Sequence, residues 1–552
     1  MNRFIYLIIF SILLSTPFHG FQLNKDSNQL GRDNGSFPDS NGIIDIEHSW
    51  IYSGATPLRD YTYSWISTGA GLGKAHALIC EPAAFGGVMI DCPDPTFEGV
   101  DDPNIPTGGN PALFTAPGIV AVSGVTQQYV AATESYEPKG TGIGYLRSET
   151  WSYMPQPICE DCTGYQDVAW GNQELSALAV TTDINNVTYD LGRKGDYIYA
   201  TSWAGGLRRF DYTLNNPEWE IIPLPMDEQD SLICNLVDID NFQLNPRDPG
   251  DGGNHNHKGF SVLGTDDYLW VGTANGINRG TINEDCIDWY HQTTANGLSG
   301  DWVVGIEEQH RGGDLYRIWA ITWSAGSGQF NSISYTDNQG VSWNNIEYFA
   351  NQNIKIYNLD FSLSDEGNER IYAASESGLF YSEDTVHWEK VSKTWIDSNT
   401  NDMVLDETVY SISAVPPSTI LAGTGDGIVF QSDTEINIYR FWNNSATSMS
   451  TNQGFNVYPN PFVISSNGIL NQDGHVRFVY FNPSNSLQSD IDIYDFSMNH
   501  VINLSQKIII ENESTIIWDG RNSLGNRVVN GTYFCRLSID NQEYWTKLLV
   551  IN

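Results

Sequence analysis

The chain has 552 residues, too many for one hydrophobic core, so it needs several domains or a repeat architecture. Sixty-seven acidic residues stand against 27 basic ones, a formal charge of −40, and such a surface repels phosphate backbones and anionic lipid heads. Nucleic-acid and peripheral-membrane partners are thereby disfavoured; solubility in a salty medium is the plain reading, and divalent-cation binding the sharper one.

Residues 1–20 read as a signal peptide. Asn2 and Arg3 make a short positive start, an apolar run follows over 4–14, and small or polar residues (Ser15, Thr16, Pro17, Gly20) close it. The run is too short to span a bilayer, no Cys follows it as a lipid anchor, and nothing later is long and apolar enough to cross. Export places the seven cysteines in an oxidising setting. Cys159 and Cys162 read as a local loop disulfide, because no βαβ pattern or second Cys-x-x-Cys supports redox or zinc chemistry. Cys80 with Cys92 and Cys234 with Cys286 are further candidate pairs, and Cys535 reads as a buried free thiol.

The loop 91–102 carries Asp91, Asp94, Glu98, Asp101 and Asp102, hard oxygen donors of the kind calcium takes. Their spacing fits no EF-hand, so a solvated acidic loop is the first reading and a calcium site at Asp91, Asp94, Asp101 and Asp102 the alternative. No other cofactor is indicated.

Strand-sized runs bounded by Gly, Asn, Asp and Ser recur along the chain, together with 51 glycines and 12% aromatics, which describes an all-β protein. Six segments share one pattern: 129–133, 198–202, 269–273, 318–322, 371–375 and 420–424. Each has two large apolar residues, a small or β-branched third, a variable fourth, and then Ser or Thr. The third positions are 131, 200, 271, 320, 373 and 422, with three steps near 50 and two near 70. A step near 50 fits one four-stranded propeller blade, and the longer steps imply insertions. Trp151, Trp219, Trp289, Trp343 and Trp388 follow the segments at similar places and read as core between blades rather than as a sugar-stacking surface. Six blades lie between about 118 and 442, and residues 44–117 supply a seventh.

These residues carry family resemblances. The stretch 268–279, with its Leu-Trp-Val-Gly-Thr core, resembles the blade motif of two-component-regulator propellers. The stretch 336–343 (Thr-Asp-Asn-Gln-Gly-Val-Ser-Trp) resembles the Asp-box of sialidases and related propellers, with Asn338 standing where that family has Asp, and 381–388 is a looser copy. In those families the box is a hairpin turn remote from catalysis, so the resemblance bears on fold. The arginine triad of a sialidase is not visible.

A second insertion, 245–258, holds His255 and His257, which two apart on a strand would face the same way. A metal or acid/base role is one reading; a polar loop is favoured, because no third ligand accompanies them at a recognised spacing.

Residues 443–454 form a polar linker. From 455 to 552 short alternating runs with turn signals describe an Ig-like β-sandwich. This segment resembles the C-terminal sorting domain of type IX secretion cargo, with its flagellar hook-capping-protein-like Ig fold. The motifs that carry the resemblance are the opening Val-Tyr-Pro-Asn-Pro-Phe at 457–462 (Pro459, Asn460, Pro461), the hairpin at 518–525 (Trp518, Asp519, Gly520, Gly525), the run 528–534 (Gly531, Tyr533), and Lys547. Asp519 and Gly520 suit a tight turn, Gly525 a positive φ, and Met498 occupies a place where such domains carry a turn Gly. The resemblance implies passage through the type IX machinery to the cell surface or medium in Bacteroidota and relatives.

The expected molecule is therefore an all-β, about seven-bladed β-propeller over 44–442 followed by an Ig-like sandwich. It would be secreted or at the outer-membrane surface, binding an extracellular glycan or protein without catalysis. The alternative is an extracellular carbohydrate-active enzyme on the same scaffold, and a sensor-type module is weaker still.

Overall fold

A computed structural model describes residues 43–439 and 455–551, apart from short internal stretches, the longest at 77–95. Residues 1–20, the linker 443–454, Pro459, Cys80, Cys92, Cys162, Asp91 and Asp94 lie outside the described residues.

Seven sheets of antiparallel strands make a seven-bladed propeller. Their innermost strands are, in chain order, Ile43–Tyr52, Leu113–Ala116, Thr188–Lys194, Gly259–Gly264, Trp302–His310, Ile356–Leu363 and Val409–Val415. Each touches the next, and that of blade 7 touches that of blade 1, which closes the ring. Closure gathers the inner sheet edges around the axis, where they are sheltered from the pairing that invites aggregation. Blade 4 carries a fifth strand, Ser231–Leu232, and a separate three-stranded sheet (Tyr165–Trp170, Gln173–Leu178, Gln243–Leu244) is built from the insertions.

The repeated pattern is the second strand of each blade, and its chemistry explains its composition. The closing Ser or Thr ties the turn into the third strand. Thr68 Oγ1 donates to the Gly71 carbonyl at 2.8 Å, Thr273 to Gly276 at 3.1 Å and Ser375 to Gly378 at 2.7 Å, while Ser202 Oγ accepts from the Gly205 N–H at 2.8 Å. The third residue packs between sheets, and Ala121, Ala320, Ala373 and Ala422 are all fully buried. One expected segment is corrected. Residues 129–133 are not the second-strand motif of blade 2, because they sit at the exposed end of a long hairpin formed by Ile119–Val130 and Ser135–Arg147. The in-register segment is 119–123, where Ala121 is buried and paired with the inner strand.

The blade tryptophans pack between neighbouring sheets. Trp151 meets Trp65 of blade 1 at 6.0 Å between ring centroids, and Trp343 of blade 5 meets Trp270 of blade 4 at 6.2 Å. Trp289 and Trp388 are buried in similar clusters, and Trp219 is half-buried. The turn at 336–343 is a hairpin held by its own side chains. Asn338 Oδ1 accepts from the Ser342 N–H at 3.0 Å, Gly340 takes φ +82°, and Arg317 grips Asp337 at 2.7 and 2.8 Å. In the looser copy Asp384 takes the place of Asn338, accepting from the Val386 and His387 N–H groups at 2.9 and 2.7 Å.

The C-terminal segment is an Ig-like sandwich of two sheets. One holds Phe455–Tyr458, Val476–Asn482 and Asn512–Trp518; the other holds Phe462–Val463, Gln542–Ile551, Gly531–Ile539, Ser489–Tyr494 and His500–Gln506. Trp518 anchors the core against Phe462 and Tyr533, at 6.3 and 6.0 Å. Gly520 and Gly525 both have positive φ, +72° and +78°, and Cys535 is buried and free. Cys234 and Cys286 form a disulfide, and Cys159 is also disulfide-bonded.

Candidate functional site

The candidate site is the axial channel, built on a device repeated in six of the seven blades. Each inner strand carries a β-bulge near its start, between Ile43 and Asp45, Thr188 and Asp190, Gly259 and Ser261, Val303 and Gly305, Ile356 and Asn358, and Val409 and Ser411. A bulge re-aims side chains locally, which is why such positions recur beside binding sites.

The residue left unpaired at the bulge is aromatic in four blades, which form two adjoining pairs, 3 with 4 and 6 with 7. Tyr189 meets Phe260 at 6.0 Å, and Tyr357 meets Tyr410 at 5.5 Å. Trp203 and Trp302 close on Phe260 at 5.5 and 5.7 Å, and Trp323 on Tyr357 at 5.8 Å. All lie at the end of the propeller where the inner strands begin. Trp203, Trp302, Tyr189, Tyr357 and Tyr410 are half-buried, so part of each ring is open to a ligand. Lys258 lies 4.6 Å over Trp203, and Lys355 4.9 Å over Trp323.

Below this collar, within about 10 Å at the rise of a strand, come five carboxyl groups: Asp45 and Glu47 in blade 1, Asp190 in blade 3, Glu307 in blade 5 and Asp360 in blade 6. All five are half-buried. Burial pushes Asp45, Asp190 and Asp360 up to about 7, and holds Glu47 and Glu307 well above the usual carboxylate range. Their mutual repulsion adds to this: Asp45 feels Asp360, Glu47 feels Asp45, Glu307 and Asp360, and Glu307 feels Asp360, Asp190 and Asp45. Several also bridge blades. Asp190 accepts from the Val262 N–H at 2.8 Å, Asp360 from the Ala414 N–H at 2.6 Å, and Glu47 from the Thr115 hydroxyl at 3.3 Å.

The residues singled out in the sequence lie elsewhere. Asp101 is exposed; Asp102 closes its own turn, accepting from the Asn104 N–H at 2.8 Å; Glu98 pairs with Lys74 at 2.8 Å. No group of three potential metal ligands converges among the described residues. His255 and His257 do not act together, because a single 3-10 turn, not a strand, carries them. His257 is 1% exposed, accepts from the Asn245 N–H at 2.9 Å through Nδ1 and donates from Nε2 to the Leu224 carbonyl at 3.0 Å. Burial lowers it to about 4, so it is a neutral structural pin. His255 is half-exposed, 3.9 Å from Asp248.

Sequence reading missed the channel carboxyls. Their signal was available: in 43–47 and 359–361 an acid sits between large apolar residues on a strand, where only a special environment accommodates it.

No protein-family model and no curated protein matches the chain. Among solved structures it is similar to PorZ, a bacterial surface component of the type-IX secretion system of Porphyromonas gingivalis, with 13% identity, TM-score 0.37, and coverage of 89% of this chain and 64% of that one. The chain thus spans less than two thirds of PorZ. It is also similar to YCF48 bound to D1 peptide (11% identity, TM-score 0.35, 73% and 96% covered). A third likeness is to the extracellular domain of a putative hybrid two-component system from B. thetaiotaomicron (9% identity, TM-score 0.24, 93% and 98% covered). At such identities and scores the likenesses carry no functional argument, and the propeller stands on its strand order and ring closure. No described helix is long and apolar enough to cross a membrane.

Proposed function

We propose that this is an exported surface propeller that binds a glycan, without turning it over, at the aromatic end of its channel. The observation that carries this reading is the collar of half-buried Tyr189, Trp203, Trp302, Tyr357 and Tyr410 directly above a tier of carboxyl groups. Sugar rings stack on aromatic faces, and their hydroxyls need donors and acceptors nearby; carboxyls held near neutrality offer both. A panel of neutral polysaccharides, titrated calorimetrically against the whole chain, tests it. Binding by at least one, weakened tenfold or more in Tyr357→Ala with Tyr410→Ala, is expected; equal binding by that variant sinks the reading, and capture of a protein ligand instead would replace it.

The export half rests on residues 1–20 as a signal peptide and on 455–552 as a type IX sorting domain. The two-sheet sandwich supports it, as do the turns at Gly520 and Gly525 and the placement of Trp518, Tyr533 and Lys547 on it. A secreted reporter carrying 455–552 should leave a Bacteroidota cell with a working type IX translocon and stay in the periplasm of a translocon mutant.

A second reading, a carbohydrate-active enzyme, is favoured by one observation: burial raises the channel carboxyls Glu307 and Asp360 well above the usual carboxylate range, the direction a general acid needs. Hydrolysis of any panel member, abolished in Glu307→Gln, would establish it.

A further inference from the structure

The channel carboxyls are also part of what closes the ring. Asp190 joins blade 3 to blade 4, Asp360 joins blade 6 to blade 7, and Glu47 joins blade 1 to blade 2. Among the described side chains, the inner strands supply no compensating cation around the axis. Blade 2 presents Thr115, blade 4 Ser261, and blade 7 Ser411 and Ser413. The cations at the strand ends are engaged elsewhere: Lys258 by Asp248 and Trp203, Lys355 over Trp323, and Lys194 by the Asp266 carbonyl at 2.6 Å. Glu308 and His310 pair with each other at 3.4 Å. Tyr189, beside Asp190, is held neutral by burial.

We propose that the axis of the propeller is a proton-dependent clasp, tight while its carboxyl groups hold protons and loosened when they ionise together. One or two charges are accommodated by the backbone N–H groups they already accept from. Five around one axis, with no counter-charge among the described residues, are not, because each neighbour raises the cost of the next.

The sign follows from linkage. A carboxyl raised in the folded state confers stability that is complete below its unfolded value, near 4, and is lost as pH rises through about 7. Surface repulsion at −40 would also grow with pH, but salt screens it, whereas buried charges are screened far less.

The test is the thermal midpoint of the full chain between about pH 5 and pH 8, in low and in roughly half-molar salt. The expected result is a fall of several degrees at both salt concentrations. Glu307→Gln makes the fall shallower, and it should fold, since the Glu307 carboxyl makes no hydrogen bond among the described residues while its backbone stays in the ladder opposite Trp319. Asp45→Asn, which keeps the acceptor for the Ile46 N–H, does the same and serves should the first variant fail to fold. Asp101→Asn, at an exposed site, leaves the slope unchanged. A flat wild-type profile, a slope abolished by salt, or channel variants as steep as wild type would overturn the proposal.

Discussion

The side-chain oxygen of Asn460 accepts a hydrogen bond from the backbone N–H of Leu549 at 3.0 Å, while its amide donates to the Lys547 carbonyl at 2.8 Å. One side chain thus does for the edge of the last strand what a neighbouring backbone would do, just before Phe462–Val463 takes over the pairing. Both bonds are solvent-exposed, so their joint worth is modest, about 1 kcal/mol. Asn460→Ala should lower the unfolding free energy of the sandwich by that amount in urea titration. Asn460→Asp keeps the acceptor and loses the donor, and should fall between.

Met498 is a non-glycine residue at φ +64°, in a turn where Asp495 accepts from the Ser497 and Asn499 N–H groups at 2.8 and 2.9 Å. The left-handed region costs an L-residue roughly 1 kcal/mol and glycine almost nothing. The Met498 side chain is largely exposed, so little packing is lost on removing it. Met498→Gly should raise the midpoint of the sandwich transition by a few degrees in calorimetry, and Met498→Val should lower it.

What could be read in advance was what the chain encodes locally. Thr273 and Ser375 mark their turns because a hydroxyl there closes onto a glycine carbonyl three residues on, and Gly520 and Gly525 mark theirs through φ. The error at 129–133 has the same source: the local pattern was right, but a long hairpin displaced it beyond the blade, and burial alone distinguishes Ala121 from Ala131. An acid set between large apolar residues marks Asp45 and Asp360 singly, but their convergence with Asp190 and Glu307 was not legible, because the four are far apart in sequence and meet only through ring closure. No local rule states which face of an inner strand turns to the axis.

His257 gives a pH effect of opposite sign to the channel. Its ring is lowered to about 4 by burial, against an unfolded value near 6.5, so the stability it confers is present above 6.5 and lost as pH falls toward 4. The five carboxyls outnumber it, and the net slope above about pH 5 is theirs. Below that, His257 contributes to acid unfolding. His257→Gln should destabilise the chain at neutral pH by roughly 2 kcal/mol, because one of two buried backbone partners loses its bond. It should also make the acid limb shallower, which circular dichroism melts between about pH 4 and pH 7 will record.

The fourth position of the repeat varies along the chain, but at Gly272 the neighbouring blade leaves no room for a side chain. It belongs to Leu269–Thr273, and its register partner Ser261 directly follows the bulged Phe260 on the inner strand. A Cβ added there would stand 2.3 Å from Ser261 Oγ and 2.4 Å from the Val303 carbonyl oxygen of the next blade. The second of these is backbone on a strand fixed by its own ladder, so it cannot yield as a side-chain tip would. Ser261 Oγ donates to that same carbonyl at 3.0 Å, tying blade 4 to blade 5, and the intruding atom would break the tie. Gly272→Ala should therefore cost about 2 kcal/mol or more, and Gly272→Val should fail to give a soluble propeller. Gly423, which has Ser411 Oγ at 2.2 Å and Ile43 Cγ2 at 2.6 Å from the same hypothetical atom, closes blade 7 against blade 1. Gly423→Ala should be at least as costly, since that junction joins the two ends of the ring. Comparable midpoints for either variant and wild type in calorimetry would show that the inner strands have room to move apart.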